Sequence, residues 1–386
     1  MRFSAALLTA VLAAVTSASP LITFPPFVGG TPTSDPAFSV AQSDLDAGLE
    51  CPTADKNNLQ GLKPLLLVPG TGNTGYESWG HTWGVLSQQL GYTPCWVSPP
   101  PYMLNDSQAN AEFVVNAIHK LYKSNGNKKV PIMSWSQGGL IVQWAFTFFP
   151  STVGQSDRFI SFAGDFKGTI FGYALDAVPF GIAPSVWQQS TFSAFLTALR
   201  NAGGLTAKIP TTSIYSITDE IVQPQIGGPA IESSYLNGAM ATNVKVQDTC
   251  GPLFIVEHSQ ELFNAFTAKV ATAALASKTG KAEVGTFGAS DCSEGFPAGL
   301  SPADQLVCPT IIVQAAVHIV AGPRTSCEPL LKPYAKKYNP VAIQACNPLA
   351  QIINIFGPQT PALFNDYEAL IYYILTHKLG GTVPSA

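Results

Sequence analysis

Trp135-Ser136-Gln137-Gly138-Gly139 constrains this chain more than any other stretch. Ahead of it lies a short apolar run, Val130-Pro131-Ile132-Met133. Behind it a helix-like run, Leu140 to Phe149, is stopped by Pro150. A serine caught between a strand and a helix and followed by two glycines is presented as a nucleophile. The turn is tight, so the residues around it must be small. The helix behind it aims its N-terminal amides and the positive end of its dipole at any negative charge formed beside the serine. That geometry suits acyl transfer.

The rest of the central chain alternates short apolar runs with helical stretches, the pattern of a mostly parallel sheet covered by helices. Strands are expected at Leu65–Val68, Val130–Ser134, Arg158–Phe162, Ser213–Ser216 and Leu253–Val256. Each ends just before a polar residue, and in open α/β sheets ligands collect at the carboxyl ends of strands. Ser107 to Lys123 reads as an amphipathic helix. Ser193 to Asn201 reads as another, ended by Gly203-Gly204, and residues 260–278 and 301–320 as two more. Residues 165–210 lack a clear strand and are the natural place for a cap over the sheet.

At 46% hydrophobic and 11% charged, 386 residues bury a large core and exclude disorder. A net charge of -4 offers no basic surface for nucleic acid. Arg2, the apolar run Ala5–Val15 and the small residues Thr16-Ser17-Ala18 read as a secretory signal over 1–18. Residues 19–33 are rich in Pro and Gly and suit a removable pro-segment. A single catalytic domain is then expected over 34–350, with a C-terminal extension over 351–386. In that extension Leu363–His377 reads as an amphipathic helix, shorter than the ~20 apolar residues of a membrane span. No transmembrane segment is expected.

Export implies an oxidising compartment and paired cysteines. There are seven: Cys51, Cys95, Cys250, Cys292, Cys308, Cys327 and Cys346. The odd count leaves at least one without an intrachain partner, and sequence leaves the connectivity open. With no CxxC pair and scattered histidines, a metal site is not expected, and neither is a cofactor. Asn105-Asp106-Ser107 is an N-glycosylation sequon beside Pro99-Pro100-Pro101.

A serine hydroxyl needs a base to take its proton and an anion to orient that base. In the chain order Ser…Asp/Glu…His, the acid should follow a strand beyond Ser136, and the histidine a later one. Asp219 follows Ser213–Ser216, and His258 follows Leu253–Val256. The rivals fit less well. Glu220 should point away from its neighbour, Asp165 follows an earlier strand, and Glu257 is too close to the histidine to fold back on it. His81 precedes the serine. His318 lies in an apolar helix and His377 ends the terminal one, so both read as structural. For the oxyanion, Gln137 offers its backbone N–H. The glycine-rich loop Pro69–Gly75 offers a second donor, with a hydroxyl at Thr71. That loop lacks the Lys-Ser/Thr pair and the dinucleotide pattern of a phosphate site.

Several segments resemble the Candida antarctica lipase B family of secreted fungal lipases. They are Leu67–Gly72, Gly91–Trp96, Ser134–Gly139, Ser185–Gln189, Thr218–Gln225, Cys250–Phe254 and Val320–Pro323, and the match runs in order from about Asp35 to Cys346. The resemblance implies an α/β-hydrolase fold: a mostly parallel central sheet flanked by helices, with a small helical cap over the site. It implies a monomeric triacylglycerol lipase or carboxylesterase working at a lipid–water interface and able to transfer acyl groups to alcohols. It maps the nucleophile to Ser136, the acid to Asp219, the base to His258 and the oxyanion donors to Thr71 and Gln137. Trp135 becomes the floor of an alcohol-side pocket. Asp165, Val186, Gln189, Ile221 and Val222 line the acyl side, and Ile319 the entrance. Disulfides are implied at Cys51–Cys95, Cys250–Cys292 and Cys327–Cys346, leaving Cys308 a buried thiol, with glycan at Asn105. Ser134 stands where generic hydrolase elbows carry glycine. The cap stretch Ile170–Pro184 is more aromatic and glycine-rich than the family pattern.

Overall fold

The computed structural model describes residue 30 and residues 32–172, 181–292 and 295–340. The expected signal, most of the pro-segment, most of the aromatic cap stretch and the terminal extension lie outside them. Seven strands form one sheet: β1 (Leu49–Glu50), β2 (Pro64–Val68), β3 (Thr93–Val97), β4 (Val130–Trp135), β5 (Ser156–Phe162), β6 (Thr211–Tyr215) and β7 (Ala241–Lys245). Their order is β1-β3-β2-β4-β5-β6-β7. Only β1 runs antiparallel to its neighbour.

Strand alternation explains why the sheet carries helices on both faces. Leu66 and Val68 of β2 belong to one buried cluster, and Leu65 and Leu67 to another. In β4, Ile132 faces the first cluster and Met133 and Trp135 the second. A strand apolar on both sides must be covered on both. Ser107–Ser124 and the elbow helix Gln137–Phe148 cover the first face. Ala265–Ala276 covers the other. The elbow helix is buried along its whole length, which suits its almost unbroken apolar sequence.

Two expectations are corrected. Leu253–Val256 is not a strand: the segment is turn and irregular chain, with Leu253 and Ile255 exposed. The last strand is instead β7, whose sequence ATNVK has one buried residue and no apolar run to signal it. Residues 301–320 are not one helix. Pro309 has no N–H to continue the ladder, and it divides Pro302–Val307 from the helix Thr310–Ala321. Together these two have the length and composition to cross a membrane. Within the fold, however, Cys308 and Ile311 are packed into the second core cluster.

Disulfides Cys51–Cys95 and Cys250–Cys292 are formed, and Cys308 is a buried free thiol. Cys327 is disulfide-bonded, while Cys346 lies outside the described residues.

Candidate active site

Ser136 sits at the carboxyl end of β4, in the turn to the elbow helix, with φ 56° and ψ −128°. A non-glycine residue in that region costs on the order of 1–3 kcal/mol and persists only where its surroundings over-determine it. Here the surroundings are close-packed. A Cβ added to Gly138 would lie 2.5 Å from the Val68 carbonyl oxygen and 2.6 Å from that of Pro69. The glycine therefore lets the helix start against the end of β2 and holds the serine at the sheet edge. Ser134 donates to Ser161 Oγ on β5 at 3.2 Å, which accommodates its hydroxyl in the buried strand.

Asp219 follows β6 in a turn it organises itself. Its Oδ1 accepts the N–H groups of Ile221 and Val222 at 2.7 and 2.8 Å. Its Oδ2 lies 2.8 Å from His258 Nδ1. A carboxylate only accepts, so the proton is on Nδ1 and Nε2 is left as the basic nitrogen. Both side chains are buried, Asp219 at 1% exposure and His258 at 2%. Burial pushes the imidazole toward neutrality. The charge and hydrogen bond of Asp219, then the charge of Glu220, outweigh it and raise the His258 pKa above its ordinary value.

His258 is reached from an irregular loop rather than a strand end, and two contacts sequence reasoning missed hold that loop. Glu220 does not point away: its Oε2 accepts the His258 backbone N–H at 2.9 Å. Glu261 is fully buried and accepts the N–H groups of Ala163 and Ser216, at 2.8 and 3.1 Å, across the ends of β5 and β6. Burial and the charge of Asp219 push its carboxyl well above the usual range. A carboxylate three residues after a candidate histidine is the only sequence signal for it. Trp135 supplies a third tie. Its indole N–H donates to the His258 carbonyl at 3.1 Å, and the two rings are 5.0 Å apart. Among the described residues the Ser136 hydroxyl makes no hydrogen bond, and Trp135, its chain neighbour, links it to the imidazole. Serine–histidine bonds in unliganded enzymes often tighten only when substrate is bound.

Beside Ser136 the loop after β2 brings up Thr71. Asn110 Nδ2 donates to Gln137 Oε1 at 3.3 Å, Gln137 Nε2 to Thr71 Oγ1 at 3.1 Å, and Thr71 Oγ1 to Gln189 Oε1 at 2.9 Å. The backbone N–H groups of Thr71 and Gln137 have no acceptor among the described residues. Asp165 is fully buried, and its N–H donates to the Ser136 carbonyl at 3.4 Å. Burial, then the charge of Asp219, push its carboxyl well above the usual range, against a bond from Ser233. Val186 and Val222 are buried and Ile221 is half-buried. Half-buried Ile319 packs on the cluster of Leu104, Ile182, Ala183, Val186 and Trp187. Asn105 is exposed.

A seven-stranded, mostly parallel sheet with a strained serine between β4 and its following helix defines an α/β-hydrolase. Lipase B of Pseudozyma antarctica is 50% identical over 329 residues, which cover 85% of this chain and 93% of that protein. The crystal structure of Aspergillus fumigatus lipase B matches with a TM-score of 0.71 at 30% identity, over 82% of this chain and 77% of that one. No protein-family model matches the chain. The chain belongs to the lipase B family, and it is a lipase or carboxylesterase, an enzyme that hydrolyses esters.

Proposed function

We propose that Ser136 is the nucleophile, His258 its general base and Asp219 the carboxylate that orients the base. The N–H groups of Thr71 and Gln137, joined by the Thr71 hydroxyl, receive the oxyanion. The observation that carries this reading is the 2.8 Å bond between buried Asp219 and His258, at the sheet edge where Ser136 is held at positive φ.

The chemistry follows from the donors. As Ser136 Oγ bonds to the ester carbon, its proton passes to His258 Nε2 and the carbonyl π pair moves to oxygen. Collapse breaks the bond to the alcohol oxygen, which leaves with the proton from Nε2. Water then repeats the sequence on the acyl-enzyme and releases the acid. An alcohol in place of water gives acyl transfer. The Thr71 hydroxyl has to turn from Gln189 to reach the oxyanion.

Trp135 is read as the floor of the alcohol side. Asp165, Val186, Gln189, Ile221 and Val222 form the acyl side, with Ile319 at the mouth. Each buried CH₂ of an acyl chain contributes about 0.8 kcal/mol, so an apolar channel holds it without specific polar contacts. Burial, then the charge of Asp219, push the Asp165 carboxyl toward its neutral form, the form that can donate a hydrogen bond. The two disulfides fit a secreted protein, and exposed Asn105 is open to glycosylation. The exposed side chains Leu306, Val313, Val317 and Val320 suit contact with a lipid–water interface.

A chain-length series of nitrophenyl esters on the wild type beside Ser136→Ala tests the reading. The variant should lose at least about 10³-fold in kcat and all labelling by a fluorophosphonate probe. Turnover by Ser136→Ala near the wild-type rate refutes it.

A further inference from the structure

The helix Thr310–Ala321, the entrance helix of the proposed site, touches the loop after β2 at three levels of one face. Asn73 Nδ2 donates to the Ile311 carbonyl at 3.4 Å. Gly72 approaches so closely that a Cβ there would lie 2.5 Å from the Ala315 carbonyl oxygen. His318 Nδ1 lies 2.7 Å from the Gly72 carbonyl oxygen. Positions 311, 315 and 318 are spaced i, i+4, i+7 and form one stripe of the helix. Val313, Val317 and Val320 occupy its outer side, exposed.

His318 is the tightest of these contacts. A carbonyl only accepts, so its Nδ1 carries the proton. Its ring stacks on Tyr102, with centroids 3.7 Å apart and 11° between planes. Its Nε2 is 3.9 Å from Glu77 Oε1. Tyr102 returns to the same glycine, because its carbonyl accepts the Gly72 N–H at 2.8 Å. The stacked pair therefore holds Gly72 at both its N–H and its C=O. That residue has φ +80°, and it is joined directly to Thr71. Tyr102 and Met103 are themselves non-glycine residues at positive φ, of 53° and 62°. Such geometry persists only where the surroundings over-determine it.

We propose that His318 is a positioning residue for ester cleavage. Through Gly72 it sets the direction of the Thr71 donors, and it makes the entrance helix part of the oxyanion loop. The inference rests on Thr71 acting as an oxyanion donor. Donors aimed at an oxyanion contribute mainly in the transition state. A misdirected donor therefore lowers kcat and leaves KM nearly unchanged.

The test compares His318→Phe, which keeps the stack and loses the donor, with His318→Gln, which keeps a donor and loses the stack. Ser136→Ala is run in parallel. Turnover of nitrophenyl butyrate is normalised to the sites titrated by a fluorophosphonate. Inhibition is measured with an alkyl trifluoromethyl ketone, whose adduct with a serine carries the oxyanion. His318→Phe should lower kcat about tenfold to a hundredfold with KM within about twofold. It should weaken the ketone by the same factor, and His318→Gln should recover most of both. Unchanged kcat and ketone affinity in His318→Phe, with Ser136→Ala inactive, overturn the role of His318 alone. An active Ser136→Ala overturns the reading of the site beneath it.

Discussion

Three effects compete at His258: burial disfavours its charge, while Asp219 and then Glu220 favour it, and the net pKa is raised. In the proposed mechanism His258 must be unprotonated to take the Ser136 proton, so kcat/KM falls as pH drops through that raised value. The acid limb of the pH profile should lie above the ordinary imidazole value of 6.5. Glu220→Gln should shift it downward, and a pH series on a soluble ester reads both. The linkage to stability has the matching sign. A raised folded pKa stabilises below the unfolded value and loses that contribution as pH rises through the folded one. Trp135 poses a different question. Its ring is read as closing the alcohol side, and its N–H holds the His258 carbonyl. Trp135→Ala should accept bulkier secondary alcohols while turning over small ones more slowly. Competition between a small and a bulky secondary alcohol in acyl transfer measures it.

At the level of the element, the elbow depends on how closely a helix can start against a strand. Gly138→Ala sets a methyl against the carbonyls of Val68 and Pro69, so the helix must withdraw. The expected cost is about 1–3 kcal/mol of stability, with loss of activity because Ser136 moves with the helix. Denaturant unfolding and kcat should fall together. The strand–serine–helix pattern was legible because β2, β4 and β5 are apolar on both faces and stand out as runs. β7 was not, because at the sheet edge its side chains are mostly half-buried and need not be apolar. Leu253–Val256 misled for the opposite reason. In a loop pinned by Cys250–Cys292, Leu253 and Ile255 stand exposed while Val256 is buried, so the apolar run does not report a strand.

For the molecule as a whole, the helix Thr310–Ala321 joins the edge proposed as catalytic to the outside. Its inner stripe is bound to the loop carrying Thr71, and its outer stripe of Val313, Val317 and Val320 is bare. If that stripe rests on lipid, Val313→Ser with Val317→Ser should cut the rate on emulsified tributyrin several-fold. The rate on soluble nitrophenyl acetate should stay unchanged. Equal rates on both substrates would remove the interface from the reading. The sequence reading of His318 as a structural residue in an apolar helix missed its partner, the Gly72 carbonyl. A backbone oxygen has no letter in the sequence.

The sequence by itself determined the sheet's central strands, the elbow and the order of serine, aspartate and histidine. These rest on local rules: apolar periodicity, glycine where backbones touch, and polar residues after strands for Ser136 and Asp219, whereas His258 follows an apolar run that is no strand. Tertiary structure alone decided what surrounds them. Glu220 on the His258 amide, Glu261 across two strand ends and His318 on the loop after β2 join residues from 38 to 246 positions apart. Each is a side chain meeting a backbone group. Every residue offers the same N–H and C=O, so only the folded path of the chain selects which one is met.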